Sequence, residues 1–583
     1  MIPATTRPIT ANPGATNPVG TLFSVAALMT LAALLYFGGL GNIPFYTKGE
    51  PREALQVWEQ VHTGDWILPL RNGTQLPSKP PLFHWLAGLV ALLTGAVNEL
   101  SLRLPSALSA TAVILLVFWF GWRRSGPLAG FCAAMALATS FEWMRAARMA
   151  RVDMVLASCS TAALVAFGVI AEAPTPSPVA LFLFYLCLSL AVLTKGPVGL
   201  VLPVLVVVIY LACRRDLGRL RAMHFASGCL LAAVVAGVWY ALAIHRGGSA
   251  FVDKQILGEN LLRFLGKKAS AGHRHPFSYY VPVFFAGFLP WSLLIIPLGG
   301  HLYQRRRTLD ADRYLYPLVW CAVVVAFYSL AAGKRAPYIL AAYPAAALLL
   351  GAWWQELATK SSAAMPLTRW IVQATGALVA AAALIAVAAV LAAGSSADFL
   401  ERLRPVLHPR DQANLPLIGA VIRAHRSALV GAGLALAALG LTAVISAHTR
   451  SWVLCFVSLA ASAGCVSLLV SHVFHPAVAA QRTFRPFLQA VGERVPPEHQ
   501  LVFYRGFDYG AAFYSQRHLP VLRHPSEIEA LDPTRPAYML IWESEWGRLT
   551  PGAQGHLGLV ARSDGTGPTG RDHLLLVQVR FPR

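Results

Sequence analysis

Charged side chains gather in two short stretches of a chain that otherwise carries little charge. Residues 46–53 include Glu50 and Arg52, and residues 145–153 include three arginines followed by Asp153. Both stretches lie beside long apolar runs, where a charged group is costly unless it is paired, hydrated or used. A carboxylate there can bind a cation or stabilise positive charge that develops at a sugar carbon, and arginines suit phosphate. The two stretches therefore predict a site for an anionic substrate held in a membrane.

Glu50 and Asp153 are the predicted catalytic carboxylates, and each also has a structural interpretation. Pro51 is typical of the first position of a helix, where acids are favoured, so Glu50 can mark a helix start as well. Asp153 follows arginines spaced three residues apart, which predicts one helical face of positive charge beside it. These are Arg145, Arg148 and Arg151. The face suits a phosphate, and the alternative is a snorkelling belt at a membrane interface.

Four further cations lie in tight, Pro- or Gly-containing turns against apolar runs: Lys79, Lys195, Lys334 and Arg335. A rigid turn would fix each cation at the level of lipid headgroups, where the phosphate of a polyprenyl phosphate lies. The alternative for any single one is an interface anchor, but together they favour phosphate binding. The predicted substrate-binding set is completed by Arg52, Arg148, Arg151, Tyr338 and Tyr343.

Metal binding has weak support in the sequence. An H-x-H pair, His273 and His275, lies in the loop 245–278 without another ligand at a matching spacing. The eight cysteines lie in apolar segments and lack the paired spacing of a metal or redox site. We therefore predict no metal ligand set and no cofactor, with a divalent metal ion as an open alternative.

The composition is that of a polytopic membrane protein built from helices. Of 583 residues, 56% are hydrophobic and 13% charged, and the mean hydropathy is +0.55. The net charge of +21 could attract nucleic acid, but no basic-aromatic binding module occurs, and much of the charge flanks apolar runs. Membrane lipids, and anionic lipid above all, are the expected partners, with no nucleic acid.

A helix needs about 20 apolar residues to cross a membrane, and on this measure the sequence predicts transmembrane helices at about 13 places. They lie near residues 21–41, 106–122, 127–143, 153–171, 179–194, 196–213, 223–244, 279–299, 314–332, 336–353, 370–393, 428–447 and 452–471. The first run lacks a basic flank and a cleavage site, which favours a retained helix over a signal peptide.

The run 80–94 is apolar too, but it is short and opens with two prolines. We interpret it as a juxtamembrane helix that does not cross. The Arg-rich loops then fall on one side, the cytoplasm, and the loops 42–105, 144–152, 245–278 and 394–427 fall on the outer side with the C-terminal tail.

The chain is predicted to divide into a transmembrane domain, residues 1–473, and a small soluble α/β domain, residues 474–583. The second part is polar and proline-rich, with short β-like runs at 501–504, 538–542 and 574–581. No nucleophile triad, metal cluster or phosphate loop occurs in it, so we expect an auxiliary role.

The order of motifs along the first part resembles the GT-C glycosyltransferases that use polyprenyl-phosphate sugars. The resemblance covers about residues 20–345 and is greatest to the bacterial 4-amino-4-deoxy-L-arabinose lipid A transferases, relatives of protein O-mannosyltransferases. The resemblance starts at the acidic motif Glu50-Pro51-Arg52-Glu53. The segments that continue it are Gly64-Asp65-Trp66, Lys79-Pro80-Pro81-Leu82-Phe83-His84-Trp85, Arg103-Leu104-Pro105-Ser106-Ala107, Arg151-Val152-Asp153 and Thr194-Lys195-Gly196-Pro197.

The resemblance implies a GT-C fold and transfer of aminoarabinose from undecaprenyl phosphate to a lipid A phosphate. The implied location is the periplasmic face of the bacterial inner membrane. Family members usually carry an Asp-Glu pair in the first outer loop, which aligns here with Gly49 and Glu50, so the first acid is missing, whereas Asp153 matches the second family acid. Glu50 and Asp153 would bind the sugar ammonium or stabilise oxocarbenium-like charge, and the cations would neutralise the leaving phosphate.

Two other functions fit parts of the pattern. A protein or polysaccharide glycosyltransferase of the same fold would act on a hydroxyl and would need a general base. A flippase for lipid-linked sugars would place polar groups and broken helices near the midplane, often in two repeated halves. No internal repeat occurs here, and the candidate residues lie at the ends of apolar runs.

Overall fold

A computed structural model of the chain describes residues 18–262, 275–304, 311–359, 366–395, 398–406 and 414–581, without 569 and 571 and with the isolated residues 265, 306 and 412. Within these residues, ten helices are long and apolar enough to cross a membrane. They are Pro18–Phe37, Glu99–Ser125, Val152–Glu172, Pro178–Lys195, Phe225–Asn260, Arg313–Leu330, Ala336–Thr359, Pro366–Ala393, Arg426–His448 and Trp452–Arg482.

Three further apolar elements account for the remaining predicted crossings. Phe277–Gly287 and Trp291–Gln304 form one pair bent by 108°, and Pro127–Ala138 and Val198–Cys213 are shorter helices. Each of the predicted runs therefore contains a helical element, and the prediction of an all-α polytopic membrane protein is confirmed. The chain is a multi-pass membrane protein.

The remaining helices lie outside the long apolar ones. They are Glu50–Thr63, Leu82–Thr94, Phe141–Ala147, Asp398–Leu403, Leu415–Ala424, Arg485–Arg494, Tyr509–Ser515, Ser526–Glu529, Glu543–Trp546 and Pro551–Gly555. Glu50–Thr63 begins and ends at the residues expected from its sequence. Pro51 occupies its first turn, and Gly64, with φ of 69°, ends it in the left-handed conformation.

Leu82–Thr94 is the helix predicted to lie on the membrane surface. Its 13 residues span about 20 Å, too little for a hydrocarbon core of about 30 Å. The Ala150 N–H also donates a hydrogen bond of 3.0 Å to Glu50 Oε1, so an even number of crossings separates these two residues. Glu99–Ser125 supplies one crossing, and the return over residues 127–147, through Pro127–Ala138 together with Phe141–Ala147, supplies the other. The even count therefore supports a surface position for Leu82–Thr94.

The C-terminal part contains a mixed five-stranded sheet in the order β2-β1-β3-β5-β4. The strands are β1 (Gln500–Tyr504), β2 (Val521–Leu522), β3 (Ala537–Trp542), β4 (Leu557–Arg562) and β5 (Leu574–Val579). β1 pairs in parallel with β2 and β3, and β5 pairs antiparallel with β3 and β4. The three predicted β-like runs are the central strands, whereas the edge strands β2 and β4 were missed because one has two residues and the other is largely exposed.

The sheet is joined to the transmembrane part by a shared core. Phe45 and Leu55 lie in one buried cluster with Phe503 and Phe513, and the rings of Phe45 and Phe513 are 5.4 Å apart. The domain boundary predicted at residue 474 falls inside the helix Trp452–Arg482. The division into two domains stays a prediction, and the shared core shows that the C-terminal part is firmly attached.

Polar contacts fix how the C-terminal part is seated. The side-chain amide of Asn72 accepts a hydrogen bond from the Leu519 N–H at 2.8 Å and donates one to the Leu519 carbonyl at 2.9 Å. The Tyr514 hydroxyl donates to Glu99 Oε1 at 2.8 Å and accepts from the Phe45 N–H at 2.8 Å. The partners Asn72, Leu519, Phe45 and Glu99 are buried and Tyr514 is half-buried, so a lost partner leaves a buried polar group unsatisfied.

Replacing Tyr514 with Phe should therefore lower the thermal unfolding temperature of the purified protein in detergent. The expected cost is about 1–3 kcal/mol, because the Phe45 N–H and the Glu99 carboxylate each lose a partner. Tyr504→Phe is the matched control, since the Tyr504 hydroxyl is buried without a hydrogen-bond partner among the described residues. Equal effects of the two substitutions would contradict the role assigned to Tyr514.

Candidate active site

Glu50 forms the most buried ion pair near the predicted site. The residue is 1% exposed, and its carboxylate accepts hydrogen bonds from Arg103 Nε at 2.8 Å and Arg103 Nη2 at 3.2 Å. Arg103 also donates to the carbonyls of Leu40 and Ile43, so its guanidinium joins the end of the first helical region to Glu50. Together with the Ala150 N–H, these contacts leave neither oxygen of Glu50 without a partner.

The environment keeps Glu50 ionised. Burial by itself would raise the pKa of Glu50, but the charge and hydrogen bonds of Arg103, with the Ala150 N–H and the charge of Arg151, hold that pKa below its usual range. A carboxylate with a lowered pKa and fully used oxygens is a poor general base and a poor ligand for a sugar ammonium. The geometry assigns Glu50 the positioning of Arg103 and of the Ala150 backbone.

Glu53, one turn further along the same helix, forms a second buried pair. Its Oε1 accepts a hydrogen bond from Arg52 Nη2 at 2.5 Å, and its Oε2 lies 2.8 Å from Nε2 of the fully buried His84. Burial would raise the pKa of Glu53, but Arg52 and His84 hold it well below its usual range. The predicted phosphate ligand Arg52 is therefore held by a carboxylate neighbour.

Asp153 lies at the polar end of a narrow cleft between apolar helices. Lys195 Nζ donates a hydrogen bond of 2.5 Å to Asp153 Oδ1 and lies 3.9 Å from the ring centroid of Tyr338. Tyr338 in turn is 5.5 Å from the ring of Tyr328. The rest of the cleft is mainly apolar, and its lining includes Leu156, Ala157, Val198, Leu202, Leu340 and Ala341.

Arg151 lies between the two predicted carboxylates. Its charge acts on both Glu50 and Asp153, yet its guanidinium has no hydrogen-bond partner among the described residues. A Cβ on Gly49 would meet the end of this guanidinium, so the absent side chain at position 49 leaves Arg151 the space that it occupies here. We call Arg151 the open cation of the site, because its guanidinium has no hydrogen-bond partner among the described residues. It lies near Lys195, which is paired with Asp153.

The three arginines do not share a helical face, and that prediction was wrong. The helix Phe141–Ala147 ends before Arg148, and Arg151 is extended, with φ of −145° and ψ of 141°. Arg145 pairs with Glu142 at 2.6 Å, and Arg148 donates to two carbonyls at the end of the first helical region. Only Arg151 remains beside Asp153 without a hydrogen-bonded partner, because the break in the helix turns the other two away.

The structure separates the remaining predicted ligands. Lys79 pairs with Glu259 at 3.1 Å and still acts electrostatically on Asp153. Lys334 is buried and donates to the carbonyls of Ala331 and His275. Substrate binding by Lys334 stays a prediction, since its ammonium serves the turn itself.

Arg335 and Tyr343 bracket the segment that supplies Pro337 and Tyr338 to the cleft. The Arg335 backbone exchanges two hydrogen bonds of 3.1 Å with the Tyr280 hydroxyl. Tyr343 is fully buried, stacked on Phe284 and Phe288, and does not line the cleft. Their roles in binding stay predictions. Of the H-x-H pair in the loop 245–278, His273 lies outside the described residues.

Sequence reasoning missed Arg103 as the partner of Glu50 and the aromatic wall around Lys195. Arg103 lies 53 residues after Glu50, so local sequence gives no signal that the two residues pair. Its place in the family motif Arg103-Leu104-Pro105-Ser106-Ala107 is the signal that could have marked it as a site residue. Within the described residues, no group of three or more His, Cys, Asp or Glu side chains is arranged to hold a metal ion.

Comparisons with known proteins find related sequences and a related fold. The profile of the dolichyl-phosphate-mannose-protein mannosyltransferase family matches residues 78–240, which include Lys79, Arg103, Asp153 and Lys195. A protein of Aquifex aeolicus without a characterised function is 31% identical in a match covering 56% of this chain and 72% of the relative. An undecaprenyl phosphate-alpha-4-amino-4-deoxy-L-arabinose arabinosyl transferase of Aeromonas salmonicida is also 31% identical, over 56% of this chain and 59% of that protein.

The fold agrees over nearly the whole chain. The crystal structure of ArnT from Cupriavidus metallidurans bound to undecaprenyl phosphate matches with a TM-score of 0.75 at 20% identity, covering 95% of this chain and 97% of that one. The chain belongs to the GT-C glycosyltransferases. The predicted kinship with the aminoarabinose transferases and the protein mannosyltransferases is confirmed, although the sequence match spans about three fifths of the Aeromonas relative.

In this GT-C protein, replacing Arg103 with Met should be strongly destabilising. The substitution leaves the Glu50 carboxylate buried without its main counter-charge, which costs about 3–5 kcal/mol. Thermal unfolding in detergent measures the loss. Arg123→Met is the control, because its pair with Glu172 is exposed and contributes at most about 1 kcal/mol. Adding Glu50→Gln to Arg103→Met should restore part of the stability, and no restoration would contradict the pairing.

The lowered pKa of Glu53 predicts a pH dependence of stability. A carboxylate whose pKa is lower in the folded state stabilises the fold above its unfolded pKa, about 4.3, and loses that contribution as the pH falls further. Unfolding temperatures measured from pH 7 to pH 3.5 should therefore show Glu53→Gln less stable than the wild type at neutral pH, with the two curves converging in acid. The exposed Glu498→Gln should follow the wild type throughout, and parallel curves for Glu53→Gln would refute the assignment.

Proposed function

We propose that this protein transfers 4-amino-4-deoxy-L-arabinose from undecaprenyl phosphate to a phosphate of lipid A. The observation that carries the proposal is the cleft that ends at Asp153 and Lys195, with the open cation Arg151 nearby. The names of the curated relatives supply the sugar and the carrier. The fold match to ArnT, a protein solved with undecaprenyl phosphate bound, supports the same carrier.

The cleft has the polarity that a polyprenyl phosphate needs. Most of its lining is apolar, so the isoprenoid carbons nearest a phosphate bound at Lys195 would contact apolar side chains. The ammonium of Lys195 belongs to the same lining and is the group that would meet the phosphate. Lys195 is held in place by Asp153 and by the Tyr338 ring, so it is already oriented before a ligand arrives.

The reaction moves charge between two phosphates and needs no net proton transfer. An oxygen of the acceptor phosphate attacks C1 of the sugar, the bond from C1 to the carrier phosphate oxygen breaks, and undecaprenyl phosphate leaves with the additional negative charge. An acceptor phosphate has a second pKa of about 6 and is largely ionised at neutral pH, so a strong general base is not required. Lys195 and Arg151 stabilise the charge that develops on the leaving phosphate.

Asp153 is the carboxylate best placed to face the sugar. Its Oδ1 binds Lys195, whereas no hydrogen bond to its Oδ2 occurs among the described residues. That oxygen can accept a hydrogen bond from the sugar ammonium or stabilise oxocarbenium-like charge at C1. Glu50 contributes indirectly, by holding Arg103 and the backbone that precedes Arg151.

The proposed location is the inner membrane, with the active site at the periplasmic face. Asp153 and Glu99 begin two of the long helices, and Glu172 and the pair Arg123 and Arg124 lie at their far ends. Arginines concentrate on the cytoplasmic side of membrane proteins, which supports placing the Asp153 end outside. Lipid A in the outer leaflet would meet the site at that end.

Mass spectrometry of lipid A tests the function directly. In cells that make the donor but lack their own transferase, the wild-type chain should add one aminopentose to lipid A. Asp153→Asn and Lys195→Met should each reduce this product by about 100-fold or more, because charge stabilisation of this kind is worth 2–3 orders of magnitude. Arg123→Met is the control and should leave the product intact, because Arg123 lies in the last turn of Glu99–Ser125 and pairs with Glu172 at the far end of the Asp153 helix.

Unmodified lipid A with the wild-type chain present in the membrane would show that the acceptor is another molecule. A hydroxyl acceptor on a protein or polysaccharide would then be indicated by transfer that depends on an ionised carboxylate acting as a base. Full activity of both Asp153→Asn and Lys195→Met would refute the site.

A further inference from the structure

Arg71 is a buried cation that the proposed reaction at Asp153 does not use. The residue is 3% exposed, Nη2 donates to the Leu76 carbonyl at 3.1 Å, and Nε has no hydrogen-bond partner among the described residues. Within the same residues no carboxylate forms an ion pair with it. The charges of Glu53 and Glu259 act on Arg71 only from a distance. A buried guanidinium without a direct counter-ion is expensive, which points to a partner that is an anion.

A tight turn and the C-terminal part hold Arg71 in this position. Arg71 and Gln75 exchange two backbone hydrogen bonds of 2.9 Å around a turn whose Asn72 and Gly73 have positive φ. Asn72 is fastened to Leu519 through its side-chain amide. The conformation of the turn therefore depends on the seating of the C-terminal part.

Tyr509 of the C-terminal part covers the guanidinium. The Arg71 Cζ lies 5.7 Å from the Tyr509 ring centroid, and the Tyr509 hydroxyl donates to Gln75 Oε1 at 3.2 Å. Arg52 is close enough that its charge acts on both Arg71 and Tyr509. Two arginines and a phenol thus converge where the C-terminal part meets the helix Glu50–Thr63.

This cluster adjoins the cleft without being part of it. Glu259 acts electrostatically on Arg52 and Arg71 and pairs with Lys79, and Lys79 acts on Asp153. Neither Arg71 nor Tyr509 lines the cleft at Asp153. A ligand that spans both places would have one group at the reacting centre and an anionic group under Tyr509.

We propose that Arg71, covered by Tyr509 and assisted by Arg52, is an anion subsite that binds a phosphate monoester of the acceptor. The inference rests on the proposed function for the identity of the acceptor, but the subsite itself stands on the contacts of Arg71. The C-terminal part then has a role in acceptor binding, because Tyr509 and the contact of Leu519 with Asn72 shape the subsite. The planar guanidinium, with Nε unused, suits two phosphate oxygens.

Acceptor kinetics with purified protein test the subsite. Arg71→Met keeps the volume and removes the charge, and it should raise the KM for lipid A by about tenfold or more while kcat changes less than about threefold, as expected for lost ground-state binding. Binding of undecaprenyl phosphate should be unchanged. The unfolding temperature should not fall, because a purely structural arginine would lower it whereas a buried cation without a direct counter-ion would not. Arg505→Met is the matched control, because Arg505 is an exposed arginine of the C-terminal part that is paired with Glu545.

A second measurement does not depend on catalysis. With undecaprenyl phosphate saturating the cleft, dodecyl phosphate should raise the unfolding temperature of the wild type and of Arg505→Met but not of Arg71→Met or Tyr509→Leu. A parallel titration with inorganic phosphate shows which part of the ligand is recognised. Stabilisation by both inorganic phosphate and dodecyl phosphate indicates recognition of the phosphate alone, and stabilisation by dodecyl phosphate only indicates recognition of a lipid headgroup.

The two proposals fail in different ways. If lipid A is modified and Arg71→Met leaves its KM unchanged, the subsite is wrong and the function stands. If lipid A is never modified but dodecyl phosphate stabilises the protein through Arg71, the acceptor is wrong and the subsite stands. Loss of stability in Arg71→Met together with no effect of either phosphate on the wild type would overturn the subsite.

Discussion

The buried pair of Glu50 and Arg103 is the interaction on which the arrangement of the site depends. Its two charges are almost fully removed from water, so each is tolerated only because the other is present. Through Arg103 the pair fixes the carbonyls of Leu40 and Ile43, and through Glu50 it fixes the N–H of Ala150. Three separate stretches of chain are thereby held together directly before Arg151 and Asp153, which fixes the open cation relative to the cleft.

The same surface also receives the C-terminal part. The helix Glu50–Thr63 begins at the Arg103 pair, and Glu59 further along it lies 2.9 Å from Nε2 of His518. Glu99, at the start of the next long helix, contacts Tyr514 and Arg485. Buried carboxylates therefore have two structural roles. Glu50 positions residues beside the cleft, whereas Glu59 and Glu99 bind side chains of the C-terminal part.

Sequence patterns predicted the elements of this structure better than their contacts. Apolar length and charge were sufficient for the helices and for the central strands, because these features follow from local composition. The partners of the charged residues were not predictable in the same way. Asp153 binds a lysine 42 residues away, Glu50 binds an arginine 53 residues away, and the arginine face expected before Asp153 is broken by an extended residue. Such pairings are set by tertiary packing, which no local spacing reveals.

Gly49 illustrates how an absent side chain can constrain the way this site changes over time. A Cβ there would meet the end of the flexible Arg151 side chain, so a larger residue would displace the guanidinium and not the backbone. A carboxylate in that place would become a partner for Arg151. The residue at position 49 therefore sets how much positive charge Arg151 presents to the site, and a lineage with an acid there would offer the sugar and the phosphate a more negative surface.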